Sequence, residues 1–344
     1  MLAARRKPGS GERSSLIACR RARLTTERAP RTLFRREGVQ TPLFSIHPAS
    51  DTMIVLSKIH PRGIIWIASY PRSGNTWTRA FINNLLHIME NPDHADADIN
   101  RAERWAASEN ATEHYTRLLR KPGHSALPSE IAAARPHVQA DIARRAGRPV
   151  YVKTHNANAR DHGHPLINAG VTAGAVYLVR NPLDVAISLA HYGDLTLDKA
   201  IADMATPGFG VFNTRNYVRT IWGSWSEHVG SWAGRPNPAT LVTRYEDLIY
   251  NPHDSFAAIA RHLTLQPTPD QVARAVEMIR FERLREKEAA AGFVEKPNYS
   301  NDRFFREGRV GQWRERLSAE QIETVVKAHH PLMRRFGYLP EQAG

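Results

Sequence analysis

Short apolar runs that alternate with helical patterns constrain the fold of this chain more than any other feature. The runs are rich in β-forming residues and occupy residues 64–69, 150–153, 175–179 and 241–245. Apolar residues at helical spacing follow the first run, and Asn-Pro pairs that favour a helix start follow the third and fourth. Strands that alternate with helices pair in parallel and are covered on both faces. The pattern therefore predicts an α/β fold of three layers with a central parallel sheet.

The N-terminal residues differ from the rest of the chain in charge. Residues 1–52 contain eleven basic and four acidic residues, a large share of the net charge of +13. They lack the apolar stretch of a signal peptide. We expect a disordered extension or a misassigned start before Met53, and an Arg-rich transit peptide is the alternative. Residues 53–344 show no internal repeat or linker and are expected to form a single domain.

Cysteine content and hydropathy restrict the compartment and the chemistry. The only cysteine, Cys19, lies in the N-terminal segment, so the rest of the chain has no disulfide, cysteine nucleophile or thiolate metal site. No apolar run approaches the ~18 residues that span a bilayer. We therefore expect a cytoplasmic protein that uses no metal and no membrane.

The first strand leads into a polar turn, residues 70–77. Gly74 permits a tight turn, and the N–H groups that open the following helix attract an anion. Arg72, Ser73 and Thr76 add hydrogen-bond donors. The turn is not a nucleoside-triphosphate loop, because no lysine precedes Thr76. It predicts a phosphate or sulfate cradle, and a plain βα turn with surface polar residues is the alternative.

The second and third strands also end in polar residues. Lys153 and His155 combine a cation with a group that accepts a proton near neutral pH, although solvated strand-end residues would give the same tripeptide. Arg180 can donate two hydrogen bonds to a phosphate, and Ser188 lies two helical turns beyond it. Asp184 falls in the first helical turn and is interpreted as a residue that favours the helix dipole.

Together these segments resemble the PAPS-dependent sulfotransferases, where PAPS is 3′-phosphoadenosine-5′-phosphosulfate. The resemblance runs from about residue 63 to about residue 338. It rests on residues 70–77, 153–155, 180–188 and 244–248, and on a closing element at residues 304–313. A tryptophan-rich stretch, residues 222–232, is also similar to bacterial members that sulfate natural products.

The resemblance implies a P-loop-like turn that binds phosphosulfate and a role for each matched residue. Arg72, Ser73, Gly74, Asn75 and Thr76 would bind the 5′-phosphosulfate. Trp77 would stack on adenine with Phe281 on the other face, although the apolar stripe of its helix also fits a core role for Trp77. Arg180, Ser188, Arg306 and Gly308 would hold the 3′-phosphate, and Tyr245 would line the nucleotide site. His155 would be the general base, with Lys153 and Arg72 as further catalytic residues, and adenosine 3′,5′-bisphosphate (PAP) would be the product.

Two departures from the family pattern bear on the site. Arg72 stands where the family's turn has a lysine. The planar guanidinium of arginine contacts a bridging oxygen differently from the ammonium group of lysine. Glu307 replaces a lysine in the closing element, where it would repel a phosphate unless Arg309 compensates.

Three other functions remain as alternatives. A P-loop kinase acting on a nucleotide or small molecule would need a lysine before Thr76 and an aspartate at a strand end. A nucleic-acid-binding protein is suggested by the net charge, but no binding module is recognisable, so we expect no nucleic-acid partner. A sulfotransferase-like protein that binds without catalysis is supported by Arg72 and Glu307.

The acceptor is expected to contact the variable segments, residues 91–149, 193–221 and 285–303. Aromatic residues in or beside them favour a small molecule with a phenolic or natural-product hydroxyl; an amine, a carbohydrate or a peptide hydroxyl stays open. No oligomeric state is predicted. These aromatic residues are Tyr192, Phe209, Phe212, Tyr217, Phe293 and Tyr299.

Overall fold

A five-stranded parallel sheet forms the centre of the computed structural model, which describes residues 63–93, 98–100, 106–296 and 303–341. The strand order is β2-β3-β1-β6-β9, and every pairing between neighbours is parallel. Residues 1–52 and Tyr299, for which the sequence led to expectations, lie outside the described residues. The strands of this sheet are β1 (Ile64–Ser69), β2 (Ala106–Ser108), β3 (Val150–Thr154), β6 (Thr172–Val179) and β9 (Thr240–Arg244).

Helices cover both faces of the sheet, which confirms the predicted three-layer α/β architecture. Side chains of β1 alternate between two apolar clusters: Ile64 and Trp66 face one, and Ile65 and Ile67 face the other. The described helices are α1 (Asn75–Glu90), α2 (Thr112–Leu119), α3 (Pro128–Ala146), α4 (Pro182–Gly193), α5 (Leu197–Ala205), α6 (Trp225–Ala233), α7 (Tyr245–Tyr250), α8 (Pro252–His262), α9 (Pro269–Met278), α10 (Phe281–Ala291), α11 (Trp313–Arg316) and α12 (Ala319–Phe336).

The two faces are covered by different helices. Apolar residues of α3, α4, α6 and α12 belong to the cluster that contains Trp66, whereas residues of α1, α8 and α9 belong to the cluster that contains Ile67. Among the described helices, none is both long and apolar enough to span a membrane.

Four further strands form two small antiparallel pairs outside the sheet. The first pair is β4 (Arg160–Asp161) with β5 (His164–Pro165), and the second is β7 (Gly210–Val211) with β8 (Thr220–Ile221). Because β1, β3 and β6 are adjacent and parallel, the polar residues that follow them meet at one edge of the sheet.

Candidate active site

The turn between β1 and α1 has a backbone that only glycine fits at its last position. Gly74 has a φ of 99°, and a Cβ there would lie 2.9 Å from the ring of Tyr245. Arg72 also has a positive φ, 66°. Helix α1 begins at Asn75 without a side-chain cap, so its first N–H groups face the turn as in an anion-binding helix N-terminus.

Side chains of the turn hold its shape. Asn75 Nδ2 donates to Ile67 O at 2.8 Å, which fixes the start of α1 against β1. Ser73 is fully buried, and its Oγ has no hydrogen-bond partner among the described residues.

His155 is held in one tautomer beside the turn. Its Nδ1 is 2.9 Å from the carbonyl oxygen of Ser69, which can only accept, so Nδ1 carries the proton and Nε2 keeps its lone pair. Burial, and next the charge of Lys153, lower the pKa of His155 to about 3. The imidazole is therefore neutral at physiological pH.

Arg180 connects the turn with the closing element. One NH group donates to Arg72 O at 3.0 Å, and the other donates to Arg309 O at 3.3 Å. The guanidinium lies 4.3 Å from the centre of the Tyr245 ring, and its buried Nε has no partner among the described residues. Arg180 thus presents one donor that fits an anionic ligand.

Arg72 turns its side chain toward α4. Its Nε donates to Ser188 Oγ at 3.0 Å. The guanidinium lies between the rings of Tyr192 and Phe304, 4.8 Å and 4.6 Å from their centres. Arg72 and Ser188, which the resemblance assigned to two different parts of the donor, therefore touch each other.

Aromatic residues form another wall of the site. The Trp77 ring packs edge-on against Tyr245 and Phe256, and its Nε1 donates to Ile279 O at 2.9 Å. The half-buried ring packs against the core and also lines the cavity. The core role predicted for Trp77 is therefore present, and stacking on adenine stays a prediction. Phe281 presses on Gly308, where a Cβ would lie 2.6 Å from its ring.

The closing element is tied to α4. Asp184 is buried and accepts from Gly311 N at 2.7 Å and from Trp313 N at 3.1 Å. Asp184 lies in the first turn of α4, as predicted, and its carboxylate also anchors the closing element, which the sequence did not reveal. Arg306 donates to His191 Nε2 on α4.

The negative charge of Glu307 is balanced by basic neighbours. Arg309 lies 3.1 Å from Glu307, Arg316 lies 3.4 Å away and Arg306 lies 3.8 Å away. Burial tends to raise the pKa of Glu307, but the hydrogen bond from Arg309 and the positive charges outweigh it and lower the pKa. The expected compensation by Arg309 is thus present in the structure.

Glu295 is a site residue that the sequence did not reveal. Its carboxylate accepts from Thr76 Oγ1 at 2.9 Å, from Arg79 at 2.5 Å and from Lys153 Nζ at 3.1 Å. The charges of Arg79 and Lys153 hold the pKa of Glu295 well below its usual range despite burial. A single acid in an irregular segment gives no periodic signal, so only the packing of that segment on α1 reveals its role.

One cavity of about 560 Å³ collects nearly all the predicted site residues. Every one of them except Ser73 lines it. Of the aromatic residues expected near the acceptor, Tyr192, Phe212 and Tyr217 line the cavity, whereas Phe209 and Phe293 are buried in the two apolar clusters. No group of three or more histidine, cysteine or acidic residues in the described part of the chain could hold a metal ion.

Comparison with known proteins identifies relatives of this chain. The model of the sulfotransferase domain family matches residues 63–337. Amine sulfotransferase of Oryctolagus cuniculus is 22% identical over 285 residues, which cover 79% of this chain and 81% of the relative. Cytosolic sulfotransferase 16 of Arabidopsis thaliana is 24% identical over 277 residues, with coverages of 75% and 72%.

A solved structure has a similar fold. The crystal structure of retinol dehydratase in a complex with retinol and PAP superposes with a TM-score of 0.53. The sequences are 22% identical, and the superposition covers 82% of this chain and 84% of that chain. At this identity the similarity concerns the fold alone.

Proposed function

The chain belongs to the sulfotransferase domain family, and on this basis we propose that it transfers a sulfuryl group from PAPS to a hydroxyl or amine of a small-molecule acceptor. One observation supports the proposal above all. A single cavity is lined by the turn between β1 and α1, by His155 with its free Nε2 lone pair, and by the cations at three strand ends, Arg72, Lys153 and Arg180.

A donor without a partner at Arg180 supports the binding of a phosphate-rich donor. Arg180 lines the cavity, and its Nε has no partner among the described residues. Residues 72–76 would hold the 5′-phosphosulfate with the N–H groups of α1, and Arg180, Ser188, Arg306 and Gly308 would hold the 3′-phosphate. Trp77, Phe281 and Tyr245 would enclose the nucleoside. PAPS, when bound, supplies the sulfuryl group.

His155 is proposed as the general base. Its Nε2 would accept the proton of the acceptor hydroxyl while the acceptor oxygen forms its bond to sulfur and the bond from sulfur to the bridging phosphate oxygen breaks. The electron pair of the broken bond stays on that oxygen, which leaves as part of PAP. By analogy with phosphoryl transfer, charge is spread over peripheral oxygens, and Lys153 with the N–H groups of the turn would stabilise it.

The cavity lining supports an apolar or aromatic acceptor. Tyr192, Phe212, Tyr217 and Trp222 line the same cavity as His155. The retinol dehydratase structure contains retinol as well as PAP. We therefore propose a small molecule with a phenolic or natural-product hydroxyl as the acceptor class.

A transfer assay with a matched variant tests the proposal. The full chain is incubated with PAPS, or with ATP–Mg²⁺, and with phenol, cyclohexanol and benzylamine, and products are identified by mass spectrometry. His155→Asn is the matched variant, because the Asn amide can still donate to Ser69 O but has no group in place of Nε2.

The proposal predicts a sulfated product with PAPS and a loss of ~10²–10⁴-fold in the variant. It also predicts an unchanged affinity for PAP in His155→Asn. A phosphorylated product from ATP–Mg²⁺ would indicate a kinase instead. PAP binding without transfer to any acceptor would contradict catalysis, and full activity of the variant would remove His155 as the base.

A further inference from the structure

Helix α6 lies directly behind the loop that contains His155. It begins with a capping box formed by Ser224 and Glu227 and belongs to the tryptophan-rich stretch noted in the sequence. The proposed function assigns no role to this helix. Its side chains nevertheless make several polar contacts with residues 155–158, which follow β3.

Three side chains of α6 hold the backbone of this loop. His228 Nε2 is 3.2 Å from the carbonyl oxygen of His155, and Trp232 Nε1 donates to the carbonyl oxygen of Asn156 at 3.0 Å. Ser231 Oγ accepts from the N–H of Asn158 at 2.9 Å. His228 and Trp232 are four residues apart, so they lie on one face of the helix and reach two successive carbonyl groups.

The direction of the hydrogen bonds of His228 follows from its partners. A carbonyl oxygen only accepts, so Nε2 donates to His155, and Nδ1 accepts from the hydroxyl of Tyr177 at 2.9 Å. Tyr177 and His228 are both fully buried. The edge of the Tyr70 ring also packs on His228 with ring centres 5.5 Å apart, which links the network to the residue where the anion-binding turn begins.

We propose that α6 is the element that positions the base, with His228 as the positioning residue that acts through the backbone of His155. This inference rests on the proposed function. His155 is fixed at its ring by Ser69 O and at its carbonyl by His228 Nε2, so its free Nε2 has a defined position relative to the turn. His228 itself does not line the cavity.

Loss of the hydrogen bond from His228 Nε2 should displace the loop that contains His155, which a general loss of stability would not do. Without His228 Nε2, the carbonyl of His155 lacks a partner that fixes it, and the loop moves to find another. A displacement of about 1 Å at a catalytic group can cost about 10²-fold in rate. A looser loop also admits water to His155, which moves its pKa up toward its ordinary value.

Three variants separate positioning from packing. His228→Phe keeps the aromatic volume but removes both hydrogen bonds. His228→Gln keeps an amide N–H near the position of Nε2. His329→Phe is the matched control. His329 is also buried, bonds Ser226 of α6 at 2.9 Å and packs on Trp225, but it lies on α12 and forms none of the hydrogen bonds that hold residues 155–158.

The first measurement does not depend on the acceptor. NMR titration of isotope-labelled histidines, with His155 assigned from the His155→Asn spectrum, follows its tautomer and pKa in the PAP complex. We expect the pKa of His155 to rise in His228→Phe and to stay unchanged in His228→Gln and His329→Phe. An unchanged titration in His228→Phe would overturn the inference, whether or not the wild type transfers a sulfuryl group.

The second measurement uses whichever acceptor reacts in the transfer assay. We expect kcat to fall about 10- to 100-fold in His228→Phe, with the Kd of PAP changed by less than about 3-fold, and most activity to return in His228→Gln. An equal fall in His329→Phe would mean that α6 acts through general stability and would contradict the inference. If His228→Phe does not fold, Trp232→Phe, which loses one N–H and keeps an aromatic ring, is measured with the same expectations.

Discussion

At the scale of single residues, burial sets the protonation state of the base. His155 donates from Nδ1 to a carbonyl and not to a carboxylate, so no negative partner raises its pKa through that bond. Burial and Lys153 together lower the pKa to about 3. The imidazole is thus neutral at the start of the proposed reaction, in which catalysis would come mainly from position and from the surrounding cations.

The first prediction concerns the dependence of the rate on pH. Because the folded-state pKa of His155 lies well below 6.5, the base stays unprotonated as the pH falls through 6.5, and kcat/KM should show no inflection there. The profile is measured from about pH 8 to about pH 5, with recovery of activity at neutral pH as the control for acid unfolding. A one-proton decline centred near pH 6.5 would contradict the assignment of the base or its environment.

The sequence singled out the three cations and His155 because each lies at or just after a strand end, and all of them line the cavity. It missed Glu295 and Arg79, which form an ion pair in the site. Arg79 lies on α1 one turn after Asn75 and is buried. The burial of a single arginine on a helix cannot be predicted from the sequence. Arg79 and Glu295 are 216 residues apart in the chain. Their contact could be predicted only if the packing of the irregular segment were known.

At the scale of elements, residues 292–296 bring a negative charge to the anion site. The second prediction is that Glu295→Gln binds PAPS about 10-fold more tightly, because Lys153 and Thr76 no longer share a carboxylate with the incoming anion. The free variant should be less stable, since Arg79 loses its buried counter-charge. Binding is measured by calorimetry and stability by thermal unfolding.

Glu282→Gln provides the control for this prediction. Glu282 is an exposed acid on the neighbouring helix α10, so its substitution changes the net charge equally without changing the contacts of Lys153. Weaker or unchanged binding of PAPS in Glu295→Gln would show that the carboxylate does not compete with the donor.

The third prediction concerns how the closing element fits on α10. Gly308→Ala places a methyl group 2.6 Å from the Phe281 ring at a residue with φ 63°, so the closing element must move. We expect about 10-fold weaker binding of PAP by calorimetry. Gly337→Ala, at the end of α12, has a similar φ of 70° and open space around the added Cβ, and it should bind PAP normally. Equal effects of the two substitutions would mean that backbone strain, and not the contact with Phe281, causes the loss.

The order and type of the main elements could be predicted from sequence, whereas several boundaries could not. Tyr245 was expected to end a strand but begins α7, and β2 was not among the four predicted strands. Strand β2 has three residues and pairs only with β3, so it is too short to show an alternating pattern. Helices α3 and α12 continue through Pro136 and Pro331, where packing outweighs local preference.

At the scale of the whole molecule, several histidines are buried in the neutral state. Burial lowers the pKa of His228 to about 3 and that of His329 to about 4. Both lie in the layer formed around α6 and α12, where they bond Tyr177 and Ser226. Folding therefore keeps these side chains unprotonated at pH values where the unfolded chain would bind protons.

The fourth prediction follows from this difference. Below about pH 6.5 the unfolded chain takes up protons at His228 and His329 and the folded chain does not, so the free energy of unfolding falls as the pH falls. Each histidine contributes a slope of up to about 1.4 kcal/mol per pH unit down to its folded-state pKa. Urea unfolding at about pH 7, 6 and 5 measures this slope. His329→Phe should reduce the slope by the contribution of one histidine. Stability that is constant or rises toward pH 5 would contradict the buried neutral state.

The proposed function requires that this site bind a nucleotide with a 3′-phosphate. Calorimetric titration of the full chain with PAP, AMP and ATP–Mg²⁺ tests it most directly, with Arg180→Ala as the matched variant. We expect the wild type to prefer PAP clearly. We expect Arg180→Ala to lose much more affinity for PAP than for AMP, because only PAP has the 3′-phosphate. A preference for ATP–Mg²⁺, or an equal loss for PAP and AMP in the variant, would contradict it.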